Sequence, residues 1–127
     1  MKVIVAGGRE FVNQKIGFSA IERSLTQQLE KEKEKLEIVC GGARGADAIG
    51  KQWGEKNNLS VVMFPADWKT HGKSAGYKRN AQMAEYADAL IAFWDGNSRG
   101  TKHMIDLANK HGIVIRVFDY NGMIIKN

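Results

Sequence analysis

Short apolar runs alternate with longer amphipathic segments along this chain, and that alternation limits its folds more than any other feature. Lys2 to Ala6, Glu37 to Cys40, Leu59 to Phe64, Ala87 to Trp94 and Ile113 to Phe118 are runs of strand length, and several are apolar almost throughout. Such runs mark strands covered on both faces by helices. Between them, Phe18, Ile21, Leu25 and Leu29, then Ala46, Ile49 and Trp53, then Met104, Ile105 and Ala108 fall at helical spacing. Four repeats of strand then helix mean βαβ units, a parallel sheet and right-handed crossovers. The fold class is α/β: one three-layer domain of the Rossmann-like type over residues 1–127.

Element ends carry local signals. Asn13 suits the N-cap of a first helix running to about Lys35, and its EKEKEK tail from Glu30 reads as a solvated face. Pro65 stops the third strand, and Ala66 to Ala75 reads as a long irregular stretch before a helix from about Gly76 to Tyr86. Gly112 is the expected stop of the helix Thr101 to His111. Asn121-Gly122 before Met123-Ile124-Ile125 signals a type I′ hairpin, which adds an antiparallel edge strand at the end of the sheet.

The strands also end in a shared chemistry. Gly7-Gly8-Arg9-Glu10 follows the first, Cys40-Gly41-Gly42-Ala43-Arg44-Gly45-Ala46-Asp47 the second, and Asp95-Gly96-Asn97-Ser98-Arg99-Gly100-Thr101 the fourth. Parallel sheets bind ligands at the carboxyl ends of their strands, and open N–H groups at a helix start favour phosphate or carboxylate. One glycine turn can be purely steric; three on one edge point to a ligand crevice. Arg9 either clamps a phosphate or pairs with Glu10 or another carboxylate. Trp68 either stacks on a base or lids the core, and Lys69, Lys73, Lys78 and Arg79 place cations near it. Cys40 and Trp53 read as core.

Several classes are disfavoured. One cysteine excludes an internal disulfide framework, and neither CxxC pairs nor the spacing of His71, His103 and His111 offers a metal site. GxGxxG is absent after the first strand and no GxxxxGK[ST] loop occurs, so no cofactor is expected. No run approaches the length of a membrane span, and a cytoplasmic protein without membrane contact is expected. The net charge of +5 suits an anionic partner, but separates a nucleotide from a nucleic acid poorly.

MKVIVAGGREF, IVCGGARGAD, FPADW, GKSAGYKRNAQM and ADALIAFWDGNSRGT, in this order, resemble the small stand-alone YspA-like (YpsA-related) branch of the SLOG superfamily, which also holds the lysine-decarboxylase-like phosphoribohydrolases and DprA. The resemblance implies a sheet of order 3-2-1-4-5, a homodimer, a bacterial or phage source and a nucleotide-derived ligand. The phosphoribohydrolases pair an arginine with a glutamate to cleave the bond between base and ribose phosphate. Arg79 stands at the arginine's place, while Met104 stands at the glutamate's, and methionine cannot exchange a proton.

The chain is therefore expected to bind a nucleoside phosphate or ADP-ribose-like molecule, for sensing, sequestration or processing. Gly7 to Arg9, Gly41, Gly42, Ala43, Arg44, Gly100 and Thr101 would hold phosphate, with Gly96 and Ser98 completing the third turn. Asp47 or Asp95 would meet ribose hydroxyls, Trp68 a base, and Lys73 with Arg79 would balance charge, with Asn80 beside Arg79 a further ligand-binding candidate. Alternatives are a hydrolase of N-glycosidic or phosphate bonds, with Arg79, Asp95 and Asp47 as catalytic candidates, and single-stranded nucleic-acid binding of the DprA kind.

Overall fold

A computed structural model describes residues 1–126; Asn127, part of the expected domain, lies outside the described residues. The apolar runs form strands β1 (Lys2–Gly7), β2 (Glu37–Cys40), β3 (Ser60–Met63), β4 (Ala89–Phe93) and β5 (Val114–Phe118), followed by β6 (Ile124–Lys126). The amphipathic segments form α1 (Gln14–Lys31), α2 (Ala46–Lys56), α4 (Ala75–Tyr86) and α5 (Arg99–His111), with one short turn of helix, α3 (Trp68–His71), between β3 and α4. The six strands make one sheet of order β3-β2-β1-β4-β5-β6. β1 to β5 are parallel and β6 pairs antiparallel with β5. The expected order is present, with the hairpin strand added at one edge.

Alternate residues of the inner strands enter opposite cores, as the period of two requires. Val3, Val5, Ile38, Ile91 and Phe93 pack with Ile21 and Leu25 of α1 and Ile49 and Trp53 of α2. Ile4, Ala6, Val39, Leu90 and Ala92 pack with Met83 of α4 and Met104 and Ala108 of α5 on the other face. All five residues of β4 are buried, which explains its continuous apolar run. β3 is more exposed because it borders the sheet. Among the described residues, no helix is long and apolar enough to cross a membrane.

Asn13 caps α1, its side chain accepting from the Ile16 amide at 3.0 Å. The helix stops at Lys31 rather than near Lys35, and a 3-10 turn takes up Lys33–Lys35. Gly112 ends α5 with φ +69. Two local readings need correction. Ala66 to Ala75 is not irregular throughout: Asp67 accepts from the Thr70 amide and starts α3, a 3-10 turn spans Gly72–Ser74, and α4 begins at Ala75. The β5–β6 hairpin also lacks a type I′ turn, which needs positive φ at both central residues. Gly122 has φ +82, whereas φ at Asn121 is not positive. Asp119 decides this, because its Oδ1 accepts from both Asn121 N and Met123 N, at 2.9 and 3.0 Å.

Candidate functional site

Because β1, β2 and β4 run parallel, their three glycine turns meet at one edge of the sheet. A cleft of about 440 Å³ opens there. Gly7, Gly8 and Arg9 line it from the first turn, Ala43 and Asp47 from the second, and Asp95, Ser98, Gly100 and Thr101 from the third. Trp68 of α3, Lys73 of the 3-10 turn, and Arg79 and Asn80 of α4 close it. Gly41, Gly42 and Arg44 border an adjoining open cavity instead, and Gly96 borders neither.

The second turn is held from within. Asp47 is buried in the first turn of α2, and its Oδ2 accepts from Gly41 N at 3.1 Å and Ala43 N at 3.4 Å. Those two amides, expected to hold phosphate, are thus committed to the chain's own carboxylate. Burial pushes the Asp47 carboxyl up to about 6, against the opposing pull of Arg79 and the two amides. Arg79 donates from Nη1 to the Gly41 carbonyl at 2.7 Å and from Nε to Asn80 Oδ1 at 3.1 Å. Asn80 is buried and passes the connection on, donating from Nδ2 to the Gly100 carbonyl at 3.3 Å. A Cβ on residue 41 would run into the Arg79 guanidinium and lie 2.8 Å from Asp47 Oδ2, so only glycine admits this arrangement. Gly45 is held at φ +79, where its Cβ would stand 2.6 Å from the Arg9 carbonyl oxygen.

The third turn also uses its carboxylate internally. Asp95 Oδ1 accepts from Asn97 N and Ser98 N, both at 2.8 Å, and these bonds hold its carboxyl below the usual range. Ser98 caps α5 through the Thr101 amide. The amides of Arg99 and Gly100 begin that helix ahead of any intrahelical acceptor. Met104 is buried in the same helix and lines the cleft, where its thioether can neither give nor take a proton.

Three cations, Arg9, Lys73 and Arg79, and three carboxylates, Glu10, Asp47 and Asp95, line the cleft, and the carboxylates are engaged by other partners. Glu10 lines the cleft but pairs with Arg44 at 3.3 Å. Among the described residues, no carboxylate stands within ion-pair distance of Arg9 or Lys73. Aromatic surface adjoins them: Trp68 is 52% exposed, and Tyr77 is 45% exposed with its ring 4.4 Å from that of His103. Tyr77 was missed in the sequence, although Lys73, Tyr77 and Asn80 stand at i, i+4 and i+7. Tyr120 was also missed. It reaches the cleft from the β5–β6 turn, with its hydroxyl where a Cβ of residue 8 would stand, and no local signal marks it.

The model of the "YspA, cpYpsA-related SLOG family" matches residues 1–71, which include the first two glycine turns. The gene 61 protein of Mycobacterium phage D29 is 36% identical over 120 residues, spanning 90% of this chain and 93% of the relative. The chain belongs to this SLOG family. Among solved structures, this SLOG protein is similar to DprA from Streptococcus pneumoniae, with a TM-score of 0.67 at 21% identity over 93% of the present chain. DprA from Helicobacter pylori, whose structure is described for its single-stranded DNA binding mode, gives a TM-score of 0.68 at 19% identity and the same coverage. The chain spans 49% and 65% of those two proteins. At such identities the likeness establishes the fold alone, over 93% of this chain.

Proposed function

We propose that this SLOG protein binds a nucleotide or nucleotide-derived small molecule, a nucleoside phosphate or an ADP-ribose-like compound, in the cleft at the carboxyl edge of the sheet. One observation carries the reading: among the described residues, Arg9 and Lys73 stand in the cleft with no carboxylate at ion-pair distance, beside the exposed faces of Trp68 and Tyr77. Cations with open helix-start amides suit phosphate, and a half-exposed indole suits a base. A volume near 440 Å³ lies within the range of small-molecule sites. Arg79, bonded to Gly41 and Asn80, shapes the wall as well as contributing charge. Isothermal titration against AMP, ADP-ribose and cyclic nucleotides tests the proposal. Heat with at least one ligand, reduced by Arg9→Ala and Lys73→Ala, is the expected outcome. No heat with any of them at high protein concentration overturns it.

Single-stranded nucleic-acid binding is a second reading, supported by the exposed Trp68 beside Lys69 and Lys73 and by the DNA binding named for the Helicobacter pylori neighbour. Stacking on an aromatic side chain with flanking cations suits a single strand. Such binding is strongest at low salt, so a gel shift absent there excludes it. Turnover of the small ligand is a third reading, for which Asp47 near pH 6 is a cleft carboxyl able to exchange protons close to neutrality. Chromatographic detection of a released base or phosphate, lost in Asp47→Asn, distinguishes turnover from binding.

A further inference from the structure

The cleft is not the only cavity at this edge. A second, more open one of about 440 Å³ adjoins it, bounded by the Gly41 to Arg44 turn and by Pro65-Ala66 after β3. The two share Arg9, Ala43, Trp68 and Arg79. A half-exposed indole and two guanidinium groups therefore form the boundary between them.

Their charges differ. Glu10, Asp47 and Asp95 line the first cavity together with its cations. Arg9, Arg44 and Arg79 line the second, and among the described residues no carboxylate does. Three arginines around an open space with no lining acid form a binding surface for anions, and glycine backbone at Gly41 and Gly42 permits close approach. Trp68 borders both spaces, so a planar base on either side can reach its ring.

We propose that the two cavities form one bipartite site for a ligand of two linked nucleotide units, with the first unit in the cleft and the second, anionic unit against Arg44 beyond Trp68. The inference rests on the cleft binding a nucleotide, and adds that the ligand is dinucleotide in size. Arg44 is the discriminating residue, since it borders only the second cavity. Its partner Glu10 borders only the first, so removing Arg44 alone would free a carboxylate there. The test therefore uses the double variant Arg44→Ala, Glu10→Gln.

Titration calorimetry compares AMP with the 5′-phosphorylated dinucleotide pApA on the wild type and on this variant. Loss of a charge-assisted contact corresponds to about tenfold in affinity. The wild type is expected to bind pApA about tenfold more tightly than AMP. The variant is expected to lose that preference, binding the two ligands with affinities within about twofold of each other. Equal affinities for the two ligands on the wild type overturn the inference, as does a variant that weakens both by the same factor. Those results leave the cleft reading standing; a wild type that binds neither ligand also overturns the inference, and overturns the cleft reading only when ADP-ribose and the cyclic nucleotides give no heat either.

Discussion

Replacing Asp47 by asparagine removes a buried charge while preserving the acceptor that holds the second glycine turn. Gly41 N and Ala43 N both donate to the same oxygen, Oδ2, and one amide carbonyl can accept both bonds. The Asp47 carboxyl is raised from 3.8 to about 6, first by burial, against the pull of Arg79. Because each unit corresponds to about 1.36 kcal/mol, ionising Asp47 costs the folded state about 3 kcal/mol at about pH 8 relative to the unfolded chain. The sign follows from the raised value. The native protein binds a proton more readily than the unfolded chain, so this group's contribution is greatest below pH 3.8 and is lost as pH rises through 6. The Asp47→Asn variant carries no such cost, so it should be the more stable protein at about pH 8. Its advantage should be about 3 kcal/mol there and about 1 kcal/mol at about pH 4.5. Urea unfolding of both proteins across that interval measures the gap. A difference that does not change with pH, or a variant less stable at the alkaline end, refutes the electrostatic account of this turn.

Gly8→Ala should destabilise the protein by about 1–3 kcal/mol, because its Cβ would occupy the place of the Tyr120 hydroxyl. The cost should shrink in a Tyr120→Phe background, and equal costs in a double-mutant unfolding cycle would show that the contact is not the cause. Cys40 is fully buried, and its thiol is pushed up to about 11, first by burial and then by Asp47. A thiol-specific reagent at about pH 8 should label it only as fast as the protein opens; rapid labelling of the native protein contradicts that placement.

The scaffold was legible in the sequence because its determinants are local. The apolar runs of β1 and β4 are continuous since both faces are covered, and the helices announce themselves through Asn13, Trp53 and Gly112. Local signals failed where two short-range interactions competed. Asn121-Gly122 favours a type I′ turn, yet the Asp119 carboxylate binds the neighbouring amides and selects another geometry. Asp67 similarly caps a helical turn inside a stretch whose composition reads as loop.

By itself the sequence determined that three glycine turns lie on one edge, because strands joined by helical crossovers must run parallel and so end together. Only the tertiary structure decided which groups on that edge are spoken for. Arg79 meets Gly41 across 38 residues and Arg44 meets Glu10 across 34, while Tyr120 reaches Gly8 from the far hairpin. Asp47 and Asp95, legible as polar residues beside glycines, turn their carboxylates onto backbone amides. Strand order and packing bring these partners together, and periodicity along the chain does not encode such distances. Among the described residues, Arg9 and Lys73 are left in the cleft without a carboxylate at ion-pair distance, beside exposed aromatic rings.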